Sequence, residues 1–285
     1  MRTAATAVTQ QCENAGMRIA IAQFAVDREP DRNIETIRTY AMQASANGAR
    51  VLLLPEGIIA RDATDPYYPA YHAQPIDGPF VAALRAISSQ TGIALMGTVH
   101  VINPETPKPS NVFLVIDNGE IRLAYRKIHL YDAFGERESD VIEPGNEVPP
   151  LITIDGWRFG VMTCYDLRFP ELARAHAIAG ADALVVSAAW ARGADKVDHW
   201  TTLCKARALE NTCYLMACSE HSAHNIGHSM AVDPMAHVMA QSESDDVVFA
   251  DFDRDTLDKA RQTLPVLCNR RFAAPVLQGT SRMID

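Results

Sequence analysis

A cysteine closes an apolar run in Phe159-Gly-Val-Met-Thr-Cys164-Tyr-Asp-Leu-Arg-Phe-Pro-Glu171. The run reads as a strand, and Pro170 marks a helix start soon after it. A nucleophile on such a strand-to-helix turn projects clear of the sheet edge, where the next backbone N–H can serve an oxyanion. The helix N-terminus also favours thiolate over thiol. Taken alone, the segment fits an inert core cysteine too. Two further segments add to it. In Leu52-Leu-Leu-Pro-Glu56-Gly57 a buried-type strand ends in a carboxylate, which is costly unless paired or solvated in a cleft. In Tyr125-Arg-Lys127-Ile-His-Leu130 a lysine stands at another strand end. Singly, these read as a solvent-facing Glu and a snorkelling Lys. Together, Cys, Glu and Lys suffice for amide hydrolysis: Cys attacks the carbonyl, Glu accepts its proton and later activates water, and Lys ammonium stabilises the oxyanion.

The elements that must position these residues follow from periodicity. Residues 17–26 and 49–56 read as strands, the second apolar throughout as if buried on both faces. Between them, 31–48 places Ile34, Ile37, Ala41 and Ala44 on one helical face and ends at Gly48. A second helix over 79–92 opens on a proline, and the Asp117-Asn-Gly-Glu120 stretch is a hairpin turn between two strands. The second half repeats the style. A hairpin at Asp155-Gly156 leads to Cys164, and helices over 168–181 and 198–211 flank a strand over 181–190. Four more strands and a helix over 254–264 complete the chain. This alternation predicts one α/β domain of mixed sheets covered by helices over residues 17–285, with residues 1–16 as a loose extension.

Composition removes several alternatives. The chain carries a formal net charge of -9 and no Lys/Arg run, so no nucleic-acid partner is expected. No apolar run is long enough for a membrane span, and the N-terminus lacks the apolar stretch of a secretory signal. The six cysteines, at 12, 164, 204, 213, 218 and 268, show no paired spacing, which fits a reducing cytoplasm. Cys213 and Cys218 are five apart on a strand and face opposite ways, as core residues rather than a redox pair. His221, His224 and His228 crowd one loop but match no zinc-ligand spacing, so no metal is expected. No phosphate-cradling glycine loop appears and no cofactor is called for.

Pro55-Glu-Gly57, Tyr125–Leu130 and Cys164–Glu171, in this order, resemble the three signature regions of the nitrilase, or carbon–nitrogen hydrolase, superfamily. The resemblance runs from about residue 17 to about residue 277. It implies a four-layer α-β-β-α sandwich, a homodimer, a Glu56–Lys127–Cys164 triad and a thioester acyl-enzyme on Cys164. It also implies a second active-site glutamate in the loop after the lysine strand, matching Glu138, with Glu136 and Glu143 as neighbouring alternatives. That carboxylate would hold Lys127 and tune the site.

Residues 187–193, 198–214, 225–234 and 264–272 resemble the bacterial deaminated-glutathione amidases, relatives of the ω-amidases. The resemblance implies a small-molecule amide substrate bearing a 2-oxo acid, with deaminated glutathione split into 2-oxoglutarate and Cys-Gly; 2-oxoglutaramate is the alternative. Tyr165, after the cysteine, favours this amidase branch and joins the expected substrate site. An anionic acyl group needs a cation, and Arg192 follows a strand end on the ligand-binding edge of the sheet. Trp190 reads as a pocket wall or a core residue. Arg168 reads as the partner of a carboxylate at the helix start, outside the site.

Overall fold

The computed structural model of the chain describes residues 16–62 and 64–278. The expected N-terminal extension lies outside them, Gly16 excepted.

Two six-stranded sheets form the centre. The first has the order β12-β1-β2-β3-β4-β5, built from β1 (Met17–Gln23), β2 (Val51–Leu53), β3 (Ala94–Val101), β4 (Ser110–Asp117), β5 (Glu120–Arg126) and β12 (Asp246–Phe252). The second has the order β11-β10-β9-β8-β7-β6. Its strands are β6 (Ile152–Ile154), β7 (Trp157–Thr163), β8 (Ala183–Ala188), β9 (Tyr214–Ser219), β10 (Met230–Val232) and β11 (Val238–Gln241). In each sheet three adjacent strands run parallel, β1-β2-β3 and β7-β8-β9, with antiparallel strands outside them. The five longer helices are α1 (Pro30–Ala46), α2 (Pro79–Thr91), α3 (Pro170–Ala179), α4 (Lys196–Asn211) and α5 (Arg254–Thr263).

Strand periodicity explains the layers. In β1, Ile19 and Ile21 point into the inter-sheet core with Phe159, Val161, Ala183 and Val185 of the second sheet. Ala20 and Ala22, one residue out of phase, belong to a second core with α1 and α2. That core takes Ile34, Ile37, Ala41 and Ala44, the four positions predicted on one face of α1, and Val81, Leu84 and Ile87 of α2. On the other side, α3 and α4 cover the second sheet, with Leu172, Ala173, Trp200, Cys204 and Ala208 buried against it. The result is the expected α-β-β-α order. Packing of α3 is close enough that a Cβ added to Gly160 of β7 would lie 2.5 Å from His176 of the helix. The strand leading to Cys164 is thereby fixed in depth.

Several boundaries differ from the sequence reading. The strand expected over 49–56 stops at Leu53, and the lysine strand stops at Arg126, so Glu56 and Lys127 stand just beyond their strands. The chain must leave the sheet there to reach the other layer: Glu56 N–H donates to Ala188 O, across the two sheets, at 3.1 Å. A short helix, Tyr68–Tyr71, and a two-residue-strand hairpin, Asp132–Ala133 with Glu136–Arg137, had no periodic signal. Cys213 and Cys218 are both buried thiols facing backbone carbonyls. Among the described residues no helix is long and apolar enough to cross a membrane.

Candidate active site

The C-terminal ends of β2, β7, β8 and β9, together with the end of β5, open into one cleft of about 620 Å³. Ligands of open α/β sheets bind at this end of the strands because the chain there turns into loops that carry exposed polar groups. Cys164, Glu56, Lys127 and Glu138 all line it.

Cys164 occupies the first position of a 3-10 turn, Cys164–Arg168, between β7 and α3. Its φ of 46° is left-handed, a conformation that costs a non-glycine residue energy and persists only where the surroundings hold it. Its thiol shares the cleft with the Glu56 carboxylate, which acts on it electrostatically. Lys127 Nζ donates to Glu56 Oε1 at 3.0 Å and to Glu138 Oε2 at 2.8 Å. Three backbone and side-chain donors complete the two carboxylates. Ala189 N–H reaches Glu56 Oε2 at 2.9 Å, Asn111 Nδ2 reaches Glu56 Oε1 at 2.8 Å, and Tyr131 N–H reaches Glu138 Oε2 at 2.7 Å. Of the three glutamates considered, Glu138 is therefore the one bonded to Lys127. Glu136 also lines the cleft, while Glu143 is placed by its own N–H on Pro109 O.

These contacts set the protonation states. Burial works against an ionised Glu56, but the Lys127 and Arg61 charges outweigh it and hold the carboxyl down to about 2. Burial alone would lower Lys127, yet the Glu138 and Glu56 carboxylates keep its ammonium well above the usual lysine range. Burial and the Glu56 charge push the Cys164 thiol far up. The resting site is thus a thiol beside a carboxylate and an ammonium, with a base already ionised. His100, buried beside Arg61, is lowered to about 3 and presents a neutral imidazole to the cleft.

A second group of side chains forms the adjacent wall. Trp190 is buried, donates Nε1–H to Lys196 O at 3.0 Å and packs on Trp200 with ring centroids 5.2 Å apart. It is at once core and pocket wall, the two alternatives open from the sequence. The Arg168 guanidinium carbon lies 4.7 Å over the Trp190 ring and 5.9 Å from Phe134. Here the sequence reading is corrected: among the described residues Arg168 makes no ion pair, and it belongs to the cleft. Its guanidinium packs over Trp190 and forms no ion pair with Glu171, the carboxylate at the start of α3. Lys196, unnoticed in the sequence, brings a second cation. Its Nζ sits 3.5 Å over Phe134 and 3.3 Å from Tyr131 Oη, and desolvation with Arg168 nearby lowers its pKa. Tyr165 lines the same space, edge-on to Tyr131 and Phe169 at 5.2 Å each. Arg192 stands exposed at the rim, with its Nε donating to Ser222 O at 2.9 Å. The three loop histidines do not converge: His221 pairs with Asp245, His224 reaches the cleft, and His228 contacts Gln241.

A buried Cys–Glu–Lys constellation at the joint ends of two helix-covered sheets defines a class of enzyme, and comparison with known proteins names it. The carbon–nitrogen hydrolase family model matches residues 18–262, and the chain belongs to that family. It is 42% identical over 263 residues to the deaminated glutathione amidase of Escherichia coli O157:H7, covering 92% of this chain and all of that protein. Nit3 of Saccharomyces cerevisiae, a nitrilase-superfamily member, superposes with a TM-score of 0.81 at 27% identity, covering 92% of this chain and 98% of that one. A mutant amidase from Nesterenkonia sp. AN1 superposes with a TM-score of 0.74 at 28% identity, covering 90% and 94%. Its active-site cysteine carries the acetamide moiety of fluoroacetamide. This chain is accordingly a hydrolase of linear amides.

Proposed function

We propose that the chain cleaves deaminated glutathione to 2-oxoglutarate and Cys-Gly through a thioester on Cys164. The observation that carries the chemistry is the buried Lys127 ammonium held between Glu56 and Glu138, with Glu56 and the Cys164 thiol lining the same cleft. Sγ attacks the amide carbonyl carbon as its proton passes to Glu56 Oε. The high thiol pKa makes a free thiolate rare, so proton transfer accompanies attack. Negative charge then develops on the carbonyl oxygen, and Lys127, already fixed and desolvated, stabilises it without reorganisation. The intermediate collapses by breaking C–N while Glu56 returns the proton to the leaving amine. Water then enters, gives a proton to Glu56 and attacks the thioester carbonyl. Cleavage of C–S releases the acid, and the proton returns to sulfur. Glu138 holds Lys127 in place throughout.

The substrate class rests on charge and on kinship. The protein is acidic overall, yet Arg168 and Lys196 stand together on the wall beside Cys164, over aromatic faces that exclude water. Such a pair suits the carboxylate of a 2-oxo acid. Arg192 at the rim supplies a third cation for the carboxylate of a dipeptide leaving group. The 42% identity to an enzyme called deaminated glutathione amidase supports that choice over 2-oxoglutaramate. The proposal includes a cytoplasmic homodimer, supported by the cysteine spacing and by Phe272 and Val276, apolar side chains exposed on the C-terminal segment. Product release across deaminated glutathione, 2-oxoglutaramate, short aliphatic amides, N-carbamoyl amino acids and nitriles tests it. Deaminated glutathione is expected first and nitriles last; preference for neutral amides or carbamoyl compounds overturns the substrate assignment.

A further inference from the structure

Lys127 and Cys164 belong to different sheets, Lys127 just past β5 of the first and Cys164 just past β7 of the second. Apolar packing between sheets is non-directional and does not by itself fix two such atoms to the few tenths of an ångström that catalysis needs. One fully buried carboxylate supplies directional bonds to both. Asp166, two residues after Cys164, accepts Thr163 N–H on Oδ2 at 2.8 Å, which ties it to the residue before the cysteine. The same Oδ2 accepts the Tyr125 hydroxyl at 2.9 Å. Oδ1 accepts His129 Nδ1–H at 2.7 Å and lies 3.3 Å from the His129 backbone N–H. Tyr125 Oη accepts in turn from Ile128 N–H at 3.2 Å. Tyr125 and His129 stand two residues before and two residues after Lys127, so the bonds bracket it from both sides. The His129 ring is also clamped flat against Phe169, with centroids 3.8 Å apart and planes 4° apart.

We infer that Asp166, gripped by Tyr125 and His129, is a positioning residue that sets Lys127 Nζ against Cys164 Sγ across the two sheets. None of the three lines the cleft; they act through the two reacting side chains. The inference rests on the Cys164–Lys127 chemistry proposed above. It also gives the left-handed backbone at Cys164 a restraint: the Asp166–Thr163 bond closes the turn that contains it.

The test uses His129, half-buried and on the less critical side of the network. Asparagine places its Nδ2 near the position of the histidine Nδ1, so His129→Asn keeps the bond and His129→Ala removes it. With deaminated glutathione and propionamide as substrates, His129→Ala is expected to lower kcat about 10- to 100-fold, the effect of a misplacement near 1 Å, with KM within about twofold. His129→Asn is expected to recover most of the loss. In a Lys127→Met background His129→Ala is expected to add little, whereas a merely structural role adds in full. Should His129→Ala fold poorly in a thermal melt, Tyr125→Phe, which removes a single hydroxyl, carries the same expectations. Wild-type kcat in both variants, no recovery in His129→Asn, a loss carried by KM, or full additivity overturns the inference. Cys164→Ala run alongside separates the two levels: activity in that variant refutes the nucleophile assignment instead.

Discussion

Arg168→Ala distinguishes a substrate cation from a structural one. The guanidinium is half-buried, lies 4.7 Å over Trp190 and, among the described residues, has no carboxylate partner. A substrate carboxylate would therefore be its ion-pair partner. Breaking a desolvated, hydrogen-bonded charge pair costs roughly 2–5 kcal/mol. The cleft is open on one side and Lys196 persists as a second cation, so the lower end applies, about 2 kcal/mol. At about 1.4 kcal/mol per decade this is about a 30-fold loss in kcat/KM for a 2-oxo-acid amide. A neutral amide such as propionamide should lose no more than about threefold, from the cavity over Trp190. The assay is steady-state release on both substrates with the same enzyme preparation. Equal losses on the two would refute the carboxylate role and leave Arg168 as a packing residue.

Other expectations follow from the same geometry. Lys127→Met should cost about 100- to 1,000-fold in kcat by removing the oxyanion charge, and Glu138→Gln should cost less, because Glu56 still holds the ammonium; near-normal turnover of Lys127→Met with the fold intact would count against its role. Glu56 has a folded pKa of about 2, below its ordinary 4.5, so its ionised contacts stabilise the fold above about 4.5 and are lost as the pH falls toward 2. Urea midpoints measured from pH 6 to pH 3 should accordingly fall less steeply in Glu56→Gln than in the wild type. Lys196 loses its proton below the usual lysine range, so kcat/KM for carboxylate-bearing amides should decline at lower alkaline pH than for neutral amides, and Lys196→Arg should remove the difference. Light scattering should give a mass near twice the 31.3 kDa of one chain, and a mass near one chain counts against the dimer.

The parts legible in the sequence were those with a local signal. Ile34, Ile37, Ala41 and Ala44 declared their buried face through helical spacing, and the apolar run before Glu56 declared a strand covered on both sides. Glu56, Lys127 and Cys164 were readable because each follows a strand within a short motif. Glu138 was ambiguous because its loop holds three glutamates and no periodicity; only the fold decides which of them meets Lys127. Arg168 was misread for a related reason. An arginine at a helix start reads as a partner for nearby carboxylates, but here it is the last residue of a 3-10 turn and packs over Trp190, a residue of another segment that no spacing rule brings to it. Lys196 and Asn111 carried no sequence signal. Both reach the cleft through contacts between segments far apart in the chain, with Tyr131 and Phe134 for one and with Glu56 for the other. Asp166 and His129 sat inside the motifs themselves, and their spacing of two residues from Cys164 and Lys127 was the available clue.

The measurement closest to the central claim is intact-protein and peptide mass spectrometry of enzyme quenched during turnover of deaminated glutathione. The expected result is a 2-oxoglutaryl thioester on the peptide containing Cys164, lost on longer incubation and missing from Cys164→Ala, with the buried thiols Cys204, Cys213 and Cys218 unmodified. An adduct confined to another residue, or full turnover by Cys164→Ala, would contradict it.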